Sequence, residues 1–221
     1  MSRRPPRTDP DRPARAAIVT AAARLFGEKG YHGTSVRDIS NEVGILAGSL
    51  YSHIATKQEL LAEILRGYSA RARTVLEPLE HAPLSTRDKL REVFAVYFRM
   101  TADAPSQARV AVHDFRSLAP DELEASRQRR RDTQAIVVRI LEQGIARGEI
   151  RPIDPKLVAM AVFSITNWSV EWLDPDRATG ADEAARFFAD LVIDGVGTAN
   201  QRPGRRRGAR RAGLDQAGRQ P

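Results

Sequence analysis

Between residues 34 and 65 the apolar positions fall into three short runs of different phase. Val36, Ile39 and Val43 recur at i, i+3 and i+7, which gives a short helix one apolar face. Gly44 follows, a residue free to take positive φ where that helix must stop. Leu50 and Ile54, four apart, give the next helix an inward stripe and leave Ser49, Tyr51, Ser52 and His53 facing out. Thr56 and Glu59 have the T-x-x-E spacing of a capping box that opens a third helix. A short polar-faced helix held across a turn from another is what a helix-turn-helix needs to enter the major groove of DNA.

Helical periodicity continues along the whole chain. A first helix over 12–29 carries Ile18, Ala22, Leu25 and Phe26 on one face and stops at Gly30. A fourth, from Lys57 to about Glu77, turns Leu60, Leu61, Ile64, Leu65 and Tyr68 inward, and Pro78 disturbs its end. The fifth covers about 86–104 and buries Leu90, Val93, Phe94, Tyr97 and Phe98; the sixth covers about 106–117. Proline followed by acids starts a seventh at Pro120, running to Gly148, and Asp154-Pro155 starts an eighth that ends near Leu173. A ninth spans about 181–195. No segment alternates with period two, so the predicted fold is all-α, about nine helices, with an N-terminal three-helix unit and a larger helical domain.

Helix eight is apolar on two sides. Leu157, Ala161, Ile165, Trp168 and Trp172 form one stripe, and Met160, Phe163, Asn167 and Val170 another. In helix nine Phe187, Phe188, Leu191 and Val192 add a second apolar surface. A helix apolar all round must be covered all round, either by one deep core or by a core on one side and a partner subunit on the other.

The 221 residues suffice for a full core. With no cysteine, disulfides, thiolate catalysis and Cys-based zinc sites are excluded. The opening residues never develop an apolar signal segment. The run 157–173 is too polar and too short to span a bilayer, so a soluble, cytoplasmic protein is expected. The formal charge of +7 is uneven: five Arg and two Asp give +3 in residues 1–15, and seven Arg and one Asp give +6 in 200–221, leaving −2 for the body. Both tails are Pro-, Gly- and Arg-rich without apolar periodicity, and are expected to be disordered, either as solvated tails or as extra phosphate contacts. His32, His53, His81 and His113 have no metal-ligand spacing, and no phosphate loop or nucleophile motif is present, so neither an enzyme nor a cofactor is indicated.

The stretch FGEKGYHGTSVRDIS followed by GSLYSHIATKQELL resembles the N-terminal domain of the TetR family of bacterial transcriptional regulators. The resemblance covers about residues 12–65 and rests on Gly30-Tyr31, Thr34-Ser35-Val36, Gly48-Ser49-Leu50-Tyr51, His53 and Thr56-Lys57 in order. It departs at Ile54, where the family usually has Phe, and at Ile45-Leu46-Ala47, a more aliphatic turn. Thr34 and Ser35 open helix two, where one would cap the helix and the other, or a backbone amide, meet a phosphate. Lys57, unhelpful to the dipole of helix four, is expected on a phosphate. The resemblance implies that Tyr51 and His53 touch the DNA backbone and that Gly48 allows close approach. Base reading would fall to Leu46, Ala47, Ser49 and Ser52, through thymine methyl contacts and DNA shape rather than bidentate hydrogen bonds.

The family further implies a homodimer on a palindromic operator, paired through the last two helices, with Phe163, Val170, Phe187, Phe188 and Leu191 at the interface. It also implies a cavity in the larger domain, for which Phe94, Tyr97, Phe98, His113, Asn167 and Trp168 are candidates. A further likeness joins residues 114–152 and 167–176 to regulators of fatty-acid and sterol breakdown that respond to acyl-CoA thioesters. The Arg127–Arg131 cluster would then meet CoA phosphates, or else is a solvated face. The expected layout is a basic arm (1–11), a helix-turn-helix domain (12–56), a ligand-binding and dimerisation domain (57–198) and an Arg-rich tail (199–221). The expected function is a DNA-binding repressor released by a small apolar effector such as an acyl-CoA. A nonspecific, architectural DNA-binding protein is the alternative that the basic tails leave open.

Overall fold

The computed structural model describes residues 11–173 and 180–196. The expected disordered arm, but for Asp11, and the Arg-rich tail lie outside the described residues. Nine α-helices run in order among them: α1 Asp11–Lys29, α2 Val36–Val43, α3 Ala47–Leu50, α4 Lys57–His81, α5 Thr86–Asp103, α6 Pro105–His113, α7 Pro120–Ala146, α8 Pro155–Trp172 and α9 Ala181–Val196. A 3₁₀ turn, Phe115–Ser117, joins α6 to α7. Two elements differ from the periodicity. α4 carries Pro78 within its last turn and continues to His81. α6 ends at His113, short of the expected 117.

Two apolar cores form, and α4 serves both. The first gathers Ile18, Ala22, Leu25 and Phe26 of α1 with Ile39, Leu50, Ile54 and the first two turns of α4. Val110, Ala111 and Leu118, from α6 and the segment after it, complete this core, so it extends well past residue 56. The second packs Ala72 and Leu76 of α4 against α5, α7, α8 and α9. There Phe98 meets Trp172 and Phe188 edge to face, with ring centroids 5.6 and 5.8 Å away, a favoured aromatic geometry. Arg87 pins α9 to α5 through Asp190 (2.9 Å) and Asp194 (2.6 Å).

The crossing of α1 and α6 is close because Gly27 lacks a side chain. A Cβ there would lie 2.8 Å from the Ser106 Cα and 3.0 Å from its carbonyl oxygen. Replacing Gly27 by Ala improves helix propensity yet forces the crossing apart, and overpacking of this kind costs about 1–3 kcal/mol. Urea unfolding of Gly27→Ala is therefore expected to show a net loss of about 1 kcal/mol.

Candidate DNA-binding surface and ligand cavity

The helix-turn-helix is built by local capping. Ser35 is the N-cap of α2: its hydroxyl accepts from the Asp38 amide (3.1 Å), and the Asp38 carboxylate accepts from the Ser35 amide (2.7 Å). These Ser35 bonds hold the Asp38 carboxyl below its ordinary range. Gly44, at φ 74°, closes α2 in the left-handed conformation, which a side chain would strain. α3 has only four residues, after which the chain turns through Tyr51, Ser52 and His53. Gly48, Ser49 and Ser52 are poor helix formers, so the segment is held largely by burial of Leu50 and Ile54. Thr56 caps α4 by accepting from the Glu59 amide (3.1 Å), but the Glu59 carboxylate accepts from Ala55 (2.8 Å) rather than from Thr56.

Outward from this frame point Leu46, Ala47, Gly48, Ser49, Tyr51 and Ser52, all exposed, with His53 half-buried beside them. Leu46 is 79% exposed and Tyr51 56%. Gly48 has nothing within 4 Å of where a Cβ would stand, so no internal contact requires glycine there.

Two expected phosphate contacts are turned inward. Thr34 is buried, its hydroxyl 3.1 Å from the Leu25 carbonyl and 3.0 Å from that of Gly30. It fastens the α1–α2 turn. The Lys57 ammonium donates to the Tyr31 (2.9 Å) and Thr34 (2.8 Å) carbonyls and lies 4.1 Å from the Tyr31 ring centroid. It satisfies carbonyls left over at the turn, which explains a cation at the start of a helix without invoking phosphate. Arg15, counted with the basic arm, likewise bonds Glu59 (2.5 Å), Glu63 (2.7 Å) and the His53 carbonyl, holding the end of the α3 segment to α4.

A cavity of about 280 Å³ lies between α4, α5, α6, α7 and α8. Tyr97 and Asn167 line it, as does Phe163, which was expected at the dimer face. Phe94 and Phe98 do not line it; both are fully buried in the second core. His113 is exposed and bonds Glu171 at 2.8 Å, tying α6 to α8 on the surface. Trp168 points away from the cavity and is 64% exposed. Val170 is buried and Phe188 packs on the second core, so neither stands free at an interface. What remains outside is a run of Leu157, Met160 and Trp168 on α8 beside Phe187 and Leu191 on α9, all large, apolar and exposed.

Polar groups converge on the cavity. Burial pushes the Tyr68 phenol up to about 12 and raises that of Tyr97, so both stay neutral hydroxyls. Arg130 donates to the Ala111 carbonyl, and its guanidinium lies 3.9 Å from the Phe115 ring centroid. Desolvation lowers its pKa from the usual arginine value. Arg129 also lines the cavity, yet its Nε and Nη2 are buried without a hydrogen bond. The Glu122 carboxylate stands 3.8 Å from Nη2, too far to accept one. Outside, Arg130 joins Phe115, Arg116, Leu123, Arg127 and Arg131 around a shallow groove.

The cavity wall is fastened to the DNA-binding end at the turn around Tyr31. The Tyr31 amide donates to Asp114 (3.2 Å), and His32 bonds the Ser117 hydroxyl (3.0 Å). Gln58 completes the junction: its amide donates to the Tyr31 hydroxyl (2.8 Å) and the Ser117 carbonyl (2.7 Å) and accepts from the Ala119 amide (3.0 Å). Sequence reasoning missed Gln58, Asp114 and Arg15. Their partners lie tens of residues away, and no local pattern marks them.

Residues 18–64 match the model of bacterial regulatory proteins of the tetR family, and residues 83–196 that of the tetracyclin repressor-like C-terminal domain. The chain belongs to the TetR family of transcriptional regulators. It is 30% identical to the HTH-type transcriptional repressor KstR2 of Mycobacterium tuberculosis, covering 82% of this chain and 92% of that protein. The solved structure of the ketosteroid transcriptional regulator KstR2 of Mycobacterium tuberculosis aligns with a TM-score of 0.78 at 28% identity, over 84% of this chain and 95% of that one. The structure of AibR in complex with isovaleryl coenzyme A and operator DNA shares the fold, with a TM-score of 0.74 at 21% identity over 81% and 97%. In this TetR-family chain no described helix is long and apolar enough to cross a membrane, and no described cluster of His, Cys, Asp or Glu could hold a metal ion.

Lys57 supplies the clearest local test. If its ammonium is a staple, Lys57→Met loses two charge-assisted bonds, and unfolding stability falls by about 1–2 kcal/mol. The salt dependence of DNA binding is then unchanged, whereas loss of a phosphate contact reduces the slope by about one.

Proposed function

We propose that this chain is a sequence-specific repressor that binds a palindromic operator as a two-fold dimer in the cytoplasm and is released by an acyl-CoA thioester. The surface around α3 carries this reading. A large aliphatic side chain at Leu46 and a glycine at 48 with open space over it gain the fold nothing, but both suit a partner that comes close. Leu46 and Ala47 offer methyl contacts to thymine, Ser49 and Ser52 short hydroxyls to base edges, and Tyr51 and His53 reach the backbone. Ser35 opens α2 at a dipole end suited to a phosphate.

One such element reads only a few base pairs, so two copies are needed for useful specificity. The exposed apolar residues of α8 and α9 form the surface that a second copy covers, an arrangement in which the same patch meets itself. Leu157, Met160, Trp168, Phe187 and Leu191 replace Phe163, Val170 and Phe188 as its centre.

The effector's acyl part enters the 280 Å³ cavity, which is near the lower size limit of ligand pockets. Its phosphates lie in the outer groove on Arg116, Arg127 and Arg131. A protein of the same fold holds isovaleryl coenzyme A together with operator DNA. Binding near Arg130 disturbs its contacts with Ala111 and Phe115, and the Asp114–Ala119 segment passes the change through Tyr31 and Gln58 to the helix-turn-helix. The ligand thereby favours a conformer with the wrong spacing between recognition elements.

Selection from randomised duplex DNA, with and without a panel of acyl-CoAs, is expected to yield an inverted repeat that a thioester releases. Enrichment of no sequence supports the architectural alternative instead. On the selected duplex, Gly48→Ala is expected to weaken binding by roughly tenfold or more, with urea stability unchanged or slightly raised. Phe187→Glu is expected to sediment as a monomer and to lose operator binding, as measured by light scattering and fluorescence anisotropy.

A further inference from the structure

The charge of the cavity wall narrows the effector beyond an apolar acyl chain. Its described lining includes Arg129 and Arg130, neighbours within one turn of α7, and no aspartate or glutamate. Arg130 is satisfied by the Ala111 carbonyl and the Phe115 ring. Arg129 is not: its Nε and Nη2 are buried, donate to nothing among the described residues, and have the Glu122 carboxylate 3.8 Å away. Adjacent Nε and Nη2 hydrogens are the fork that grips both oxygens of a carboxylate. A stabilising role inside the chain would have supplied Arg129 with an acceptor, as Glu124 serves Arg131 at 2.7 Å. The phenols of Tyr68 and Tyr97, kept neutral by burial, offer further donors in the same wall.

We propose that Arg129, beside Arg130, is the anchor for a carboxylate carried on the apolar body of the effector. This deepens the ligand-released reading and rests on it. The space of about 280 Å³ takes a compact body rather than a whole coenzyme, so the anchored group lies on the acyl skeleton. The carboxylate has two sources: a free fatty acid, or the distal acid of a dicarboxylic thioester. The whole coenzyme does not fit this space, and its phosphates are assigned to the outer groove.

Titration calorimetry on the full-length chain with decanoate, its methyl ester, decanoyl-CoA and the mono-CoA thioester of decanedioic acid separates these. Decanoate or the dicarboxylic thioester is expected to bind at least about tenfold more tightly than its partner lacking the acid. Arg129→Met is expected to remove that preference while leaving the neutral partner's affinity unchanged, and Arg129→Lys to restore part of it. The wild-type comparison stands even if a variant fails to fold. Equal binding of acid and ester, with equal binding of the two thioesters, overturns the anchor and leaves the acyl-CoA reading intact. Tight binding of decanoate with neither thioester bound supports the anchor and overturns the acyl-CoA reading. Binding of none of the four overturns both.

Discussion

Everything in this molecule passes through the turn at Tyr31. Six groups meet there: the Lys57 ammonium on two carbonyls and the ring, Gln58 on the hydroxyl, Asp114 on the amide, and Ser117 and Ala119 through Gln58 and His32. Tyr31 itself is buried against Phe26, their ring centroids 5.3 Å apart. The four-residue α3 is too poor a helix former to stand alone and depends on the core that Tyr31 shares with Leu50 and Ile54. With it, the exposed face at Leu46–Ser52 is carried on a frame whose back is shared with the cavity-lining domain. Rigid positioning of that face and the proposed coupling to the ligand thus have one structural source.

Much of the first core was legible because its information is local. Gly44, the i, i+3, i+7 spacing in α2 and the caps at Ser35 and Thr56 each act within a few residues. The assignment of polar side chains to DNA was less legible. Thr34 and Lys57 have the right chemistry for phosphate, but both find carbonyl acceptors in the turn between α1 and α2. Residue type alone does not say whether a donor is spent internally. The shortness of α3 was readable in principle from Gly48, Ser49 and Ser52.

In the larger domain the helices were legible and their faces were not. Periodicity places Phe94, Tyr97 and Phe98 on adjacent sides of α5, and all three join the second core, yet only the packing decides that Tyr97 alone of them also reaches the cavity. The same holds for α8, apolar on two sides. Phe163 lines the cavity and Trp168 stands outside it, because α5 and α7 cover the Phe163 side and no described element covers Trp168. Helix phase gives the angle between two stripes; the third dimension says which stripe is already covered.

The central claim is that occupancy of the cavity is read at the DNA-binding face through the Tyr31 junction. The direct measurement is operator affinity with and without the releasing thioester, in the wild type and in Gln58→Ala. The account predicts that Gln58→Ala still binds both the thioester and the operator, but that the ratio of the two operator affinities falls toward one. An unchanged ratio, with both ligands still bound, would contradict it.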